Sequence, residues 1–118
     1  MVKTVPVSVV ETPEFLSATR KLMSDDERAV LVDYLAHNPM AGDLVQGTGG
    51  IRKVRWALDG RGKRGGARVI YFYHDADMPL FALTAYAKNE RADLSQQDRN
   101  DFRQLTTMLV DAFKRRKP

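Results

Sequence analysis

Seven side chains in the middle of the chain could act together on a phosphodiester: Lys53, Arg55, Arg68, Tyr71, Tyr73, Tyr86 and Lys88. Arginine offers two parallel N–H donors to phosphate oxygens, and its charge does not titrate away. A phosphoryl-transfer transition state gathers negative charge on its oxygens, and fixed cations stabilise that charge without a metal. RNA asks less of a protein than DNA does. Its 2′-OH is a built-in nucleophile at high effective molarity. Tyrosines can stack on bases or move a proton. The bland alternative is a solvated strand face for Lys53 and Arg55. For Tyr71 and Tyr73 it is the ordinary habit of strand tyrosines, which straddle core and surface.

Other chemistries find little support. The chain has no cysteine, so disulfide scaffolds and thiolate zinc sites are excluded. It has two histidines. His37 falls at an expected helix end, where an imidazole meets terminal carbonyls. His74 stands beside Asp75 and Asp77, a turn composition more than a metal set. Gly60-x-Gly62-x-x-Gly65 has the spacing of a dinucleotide fingerprint, but it is surrounded by basic residues and sits in a hairpin context. No P-loop and no Ser-His-Asp set is present. No metal site and no cofactor is expected.

The elements that must position the cationic set can be read from periodicity and caps. Val5 to Glu11 is a β-branched run with Pro6 near its start, which suits an edge strand. Thr12-Pro13 starts a helix carrying Phe15, Leu16, Thr19, Leu22 and Met23. Ser24 to Glu27 is a capping box that starts a second helix, with Val30, Leu31, Tyr34 and Leu35 as its stripe; Asn38-Pro39 ends it. Ala41 to Gly50 is a glycine-containing loop. Ile51 to Leu58 alternates, so that Val54, Trp56 and Leu58 are buried while Lys53 and Arg55 point the other way. Gly60 to Gly66 is a basic hairpin loop, and Ala67 to His74 is the returning strand. Leu80 to Ala87 is apolar on both faces, as a covered central strand would be. Ser95, with Asp98 three residues on, caps a last helix whose stripe is Phe102, Leu105, Leu109 and Phe113. The order is β-α-α-β-β-β-α. The fold class is α+β, a single domain over residues 1–118, with an antiparallel sheet and helices packed on one face. The other face is expected to stand open and to display Lys53 and Arg55.

Charge is unevenly placed. The 118 residues include 19 basic and 15 acidic side chains, a net of +4. Residues 51–68 hold seven basic side chains and one acid, a net of +6. Residues 114–117, Lys-Arg-Arg-Lys, add +4. The remainder nets −6. Two concentrated basic segments on an acidic body are the electrostatic footprint of a polyanion partner. No run approaches the roughly 20 apolar residues of a membrane span. Met1 to Val10 lacks the pattern of a signal peptide, so a cytoplasmic location is expected.

Three segments together carry a family resemblance. They are Gly47-Thr48-Gly49-Gly50-Ile51-Arg52-Lys53-Val54-Arg55, the run from Gly60-Arg61-Gly62-Lys63-Arg64 to Ala67-Arg68-Val69-Ile70-Tyr71-Phe72-Tyr73, and Leu83-Thr84-Ala85-Tyr86-Ala87-Lys88-Asn89-Glu90 with Asp93-Leu94-Ser95. In order over about residues 5–112, they resemble the RelE/ParE superfamily of bacterial type II toxins, and within it the HigB-like RelE branch. The resemblance implies a compact RelE-like microbial RNase fold. It implies a toxin that cleaves mRNA in the ribosomal A site without a metal and so inhibits translation. It also implies a cognate antitoxin, usually with a helix-turn-helix domain, through which operator DNA is bound.

Carried over residue by residue, the family's paired basic residues match Lys53 and Arg55, and its phosphate-stabilising arginine matches Arg68. Where some members place an arginine, this chain has Asn89, and Lys88 is the neighbouring cation. The tyrosine of some members' last helix falls near Ser95 and is missing. Tyr73 or Tyr86 then stands in for it, or proton transfer passes to Lys88 or Glu90. The expected catalytic set is Lys53, Arg55, Arg68, Tyr73 and Lys88. The expected RNA-binding set is Arg52, Arg61, Lys63, Arg64, Tyr86, Glu90, Lys114, Arg115 and Arg116. Two rival readings remain: a ParE-like inhibitor of DNA gyrase, which would not need the cationic sheet face, and a non-catalytic RNA- or ribosome-binding module, which would bind without cutting.

Overall fold

A computed structural model describes residues 5–58, 66–91 and 93–116. The elements run β1 (Val9–Glu11), α1 (Pro13–Arg20), α2 (Asp25–His37), β2 (Asp43–Leu44), β3 (Ile51–Trp56), β4 (Ala67–Phe72), β5 (Leu80–Ala87) and α3 (Gln96–Arg116). The helix starts follow from their caps. Thr12 Oγ1 accepts from the Phe15 N–H at 3.1 Å, with Pro13 in the first turn. Ser24 and Glu27 form a reciprocal capping box, each bond 3.1 Å. Ser95 and Asp98 repeat the pattern ahead of α3, at 2.9 and 3.0 Å. These bonds satisfy amide groups that a helix start would otherwise leave unpaired. His37 closes α2, its Nδ1 lying 2.9 Å from the Asp33 carbonyl oxygen.

The sheet has five strands in the order β1-β5-β4-β3-β2. The β2–β3, β3–β4 and β4–β5 pairs are antiparallel, and β1 pairs with β5 in parallel. The sheet is therefore mixed, where a wholly antiparallel one was expected. The cause is connectivity. The two helices after β1 carry the chain to the far edge at β2, and β5 reaches β1 only after three further strands, so no tight hairpin joins the pair and forces it antiparallel.

A second correction concerns the helices. They cover both faces, not one. Phe15, Leu31 and Leu35 of α1 and α2 pack with Val69, Tyr71, Leu80 and Ala82. On the other face, Phe102, Leu105, Leu109 and Phe113 of α3 pack against Ile51, Ile70, Phe72 and Leu83. The central strands β4 and β5 are apolar on both sides, so each side needs a cover, and the stripe of α3 needs an apolar surface of its own. The Phe113 ring meets Phe81 edge-on at 6.1 Å. Trp56 and Tyr34 rings lie 5.4 Å apart on the α1/α2 side.

Two local features fix details of the layers. In the glycine loop, Thr48 Oγ1 donates to the Val45 carbonyl and accepts from the Ile51 N–H. The Thr48 carbonyl in turn accepts from Thr106 Oγ1 of α3 at 3.0 Å. Gly49 beside it has φ +76°, and a Cβ there would collide with Thr106 Oγ1, so only glycine fits without displacement. In β5, Tyr71 pairs with Ala82 but Ile70 pairs with Thr84, so Leu83 is an extra residue, a β-bulge. Among the described residues no helix is long and apolar enough to cross a membrane.

Candidate functional site

The cationic set assembles by register. Arg55 of β3 pairs with Arg68 of β4, and Arg68 pairs with Tyr86 of β5. The three side chains form one row across the sheet, on the α3 side. Lys53 stands two residues from Arg55 on the same side. Like charges placed directly opposite each other repel and cost stability. Among the described residues neither arginine has a carboxylate partner; Arg68 has only a long 3.5 Å contact to the Ala67 carbonyl. Two opposed arginines with no carboxylate paired to either among the described residues form a pattern that a phosphate would compensate. A hollow of about 370 Å³ opens there, lined by Ala41, Asp43, Lys53, Arg55 and Arg68.

Lys53 does have a partner. Its Nζ donates to Asp93 Oδ1 at 2.9 Å. The same oxygen accepts the Leu94 N–H at 2.7 Å, and Asp93 Oδ2 lies 3.6 Å from Arg99 Nη2. The Lys53 hydrogen bond, followed by the Leu94 amide, holds the Asp93 carboxyl below its ordinary value of 3.8. Asp93 and Arg99 are the residues that sequence reasoning missed. The one available signal was an acid in the connection just before the Ser95 cap, which does not say which cation it meets.

Tyr86 closes the row at its inner end. It is 7% exposed, and its hydroxyl has no hydrogen-bond partner among the described residues. Burial pushes its phenol above the ordinary value of 10.0, while Lys53 pulls it down and Asp93 raises it. The Arg91 guanidinium stacks over its ring, 5.2 Å from the centroid, and pairs with Asp98 at 2.8 Å. A buried phenol of this kind is a proton or hydrogen-bond donor at neutral pH, not a base.

The other expected site residues are more scattered. Lys88 and Glu90 are exposed on the turn after β5, where the Lys88 N–H donates to the Gly66 carbonyl at the hairpin root. Tyr73 packs against the core on the α1/α2 side, away from the row. Arg52 also points to that side, opposite Tyr71, and its Nη1 donates to the Gly42 carbonyl at 2.7 Å and the Met40 carbonyl at 3.3 Å. Alternation places it there, since Arg52 and Lys53 are neighbours on one strand. Lys114 and Arg115 are exposed at the end of α3. Phe113 just before them packs on Phe81, five residues from Tyr86 along β5 or about 17 Å, so the basic tail lies at the far end of this face. Arg61, Lys63 and Arg64 lie outside the described residues, as does the Arg116 side chain.

Among the described residues no group of three or more His, Asp or Glu is arranged to hold a metal ion. The groups gathered on this face are the cations Lys53, Arg55 and Arg68, the buried Tyr86 phenol and the Asp93 carboxylate. A protein-family model described as the RelE toxin of the RelE/RelB toxin-antitoxin system matches residues 8–116, and every residue of the row falls within that span. With nine-tenths of its length matched, and with a five-strand mixed sheet between two helical layers, the chain belongs to the RelE toxin family.

Proposed function

We propose that this toxin is an endoribonuclease of the HigB-like branch, a single domain over residues 1–118, that cuts mRNA on the ribosome. Family membership carries the toxin role and the need for a cognate antitoxin. The observation that supports cleavage is the Arg55–Arg68 pair, opposed across β3 and β4 with no carboxylate between them among the described residues.

In this reading the 2′-oxygen attacks the adjacent phosphorus and the P–O5′ bond breaks. The 2′-OH loses its proton, the 5′-oxygen gains one, and a 2′,3′-cyclic phosphate remains. Arg68 and Arg55 neutralise the charge that builds on the phosphorane oxygens. Lys53 positions the backbone. The Tyr86 hydroxyl is buried and unpartnered, so it donates to an oxygen of the substrate only once the groups covering it move aside. Lys88 and Glu90, exposed on the turn after β5, are the titratable groups offered for proton transfer. The substitute for the absent helix tyrosine is Tyr86, which shares the cationic face, and not Tyr73, which does not. The hairpin cations and the 114–117 tail hold ribosomal RNA through counterion release. The antitoxin, in this reading a helix-turn-helix protein, carries the contact with operator DNA. The work is done in the cytoplasm.

Arg68→Ala should abolish growth arrest and lower the cleavage rate about 10²–10³-fold, the usual cost of losing one transition-state donor. Primer extension on cellular mRNA after induction, with and without translation, reads this directly. Growth arrest that survives in the Arg68→Ala/Lys53→Ala double variant would overturn the assignment. DNA-damage signalling in place of translation arrest would favour a gyrase inhibitor.

A further inference from the structure

We infer that Asp93 is a positioning residue for Lys53, an anchored carboxylate at the start of α3 that fixes the ammonium group beside the Arg55–Arg68 row. The inference rests on the cleavage reading above, in which Lys53 is a working cation. Asp93 and Lys53 are 40 residues apart in sequence, and their ion pair is the point where the β5–α3 connection touches β3.

Asp93 is itself held on three counts. The Leu94 N–H binds Oδ1. Arg99 approaches Oδ2 and also donates to the Gln46 carbonyl at 3.3 Å, which ties it to the loop before β3. The Ser95–Asp98 cap stiffens the chain immediately after it. The second lone pair of Oδ1 is thus left for Lys53 Nζ.

A lysine needs such a partner more than an arginine does. Its ammonium is a point charge on a four-carbon stem with free rotation, and fixing it costs entropy. Here two guanidinium groups on the same face also repel it. Asp43 pairs with Lys53 across β2 and β3, yet among the described residues it makes no ion pair with Lys53. The Lys53 and Asp93 side chains are 27% and 47% exposed, so their pair adds little to folding. Its geometry is better explained by where it leaves Nζ.

Purified full-length protein on mRNA-programmed ribosomes gives the test. Asp93→Asn should lower kcat about tenfold. KM should stay level or fall, because a negative charge has been removed beside a polyanion site. Asp93→Glu should regain most of the rate. Lys53→Met should lose more, and adding Asp93→Asn to Lys53→Met should cost nothing further. Asp93→Asn cleavage within twofold of the parent would overturn the inference. So would an equal loss in the Lys53→Met background, which is the pattern of a merely structural pin. Melting curves taken alongside exclude unfolding as the cause, and Asp93→Glu carries the test if the asparagine variant does not fold. If Lys53→Met and Arg68→Ala both cleave normally, it is the cleavage reading that has failed.

Discussion

Two buried tyrosines on neighbouring strands show how differently one residue type can be used. Tyr71 donates to the Pro39 carbonyl at 2.9 Å and accepts the Gly42 N–H at 2.8 Å. Tyr86 has no such partner among the described residues. Tyr71→Phe should therefore cost about 1–2 kcal/mol in denaturant unfolding, because the Gly42 amide is left buried and unpaired. Tyr86→Phe should leave stability unchanged or slightly higher, since no bond is broken, yet slow cleavage at least about tenfold as a lost proton donor. A Tyr86→Phe variant of full activity would remove that hydroxyl from the mechanism. The same pair sets the alkaline limit. Burial raises both phenols above 10.0 in the folded protein. A group raised on folding contributes stability that is complete below its unfolded value and is lost as pH rises through the folded one. Unfolding midpoints should hold to about pH 10 and fall above it, less steeply in Tyr71→Phe. Sequence could place Lys53, Arg55 and Arg68 on strands by alternation alone. It could not show that Arg52 ties down carbonyls on the opposite face, nor that Lys53 meets Asp93, because both depend on contacts between distant segments.

The helices were legible at their starts and not in their destinations. Thr12-Pro13, Ser24 to Glu27 and Ser95 with Asp98 are local signals, and each cap forms with the residues that advertise it. An apolar stripe says that a helix needs cover, not which side of a sheet supplies it, so the placement of α3 required the two-sided apolar character of β4 and β5 to be taken at its word. The two residues of β2 are too few for periodicity to reveal, and β1, legible as an edge strand, carries no local signal that it pairs in parallel. Ser24→Ala should cost about 1 kcal/mol, the usual loss at a side-chain N-cap. Gly49→Ala should cost more, about 2 kcal/mol, from the left-handed backbone together with displacement of Thr106. Thermal unfolding of both variants checks the order. A harmless Gly49→Ala would mean that the Thr48–Thr106 contact is not what seats α3.

Among the described residues charge is unevenly shared between the faces, though exposed Arg20 and Lys21 lie with α1 and exposed Asp101 and Asp111 lie on α3. Exposed acids Glu14, Asp25, Asp26 and Asp33 lie on α1 and α2, on one side of the sheet. Lys53, Arg55 and Arg68 lie on the other. A body polarised in this way turns its cationic side toward a polyanion as it approaches, an effect that salt weakens. The tail stands apart from the row, so its contribution should be one of affinity. Replacing Lys114 and Arg115 by alanine should lower the slope of log affinity against log salt for single-stranded RNA by about 1.4, at roughly 0.7 per phosphate contact. Filter binding across a salt series would measure it, and an unchanged slope would detach the tail from RNA.

The extra residue in β5 works as a phase shift. Leu83 and Thr84 stand on the same side of the sheet in succession, so the chain leaves the strand in the opposite step from a regular one. That half-period brings Tyr86 into line with Arg68, while Ala82 and Ala85 both serve the core beneath α1. Length in this strand is accordingly frozen. Loops on either side can grow or shrink over generations. A residue gained between Ala82 and Ala85 would instead turn the tyrosine away from the cations and put Ala85 in its place, and one lost would put Ala87 there.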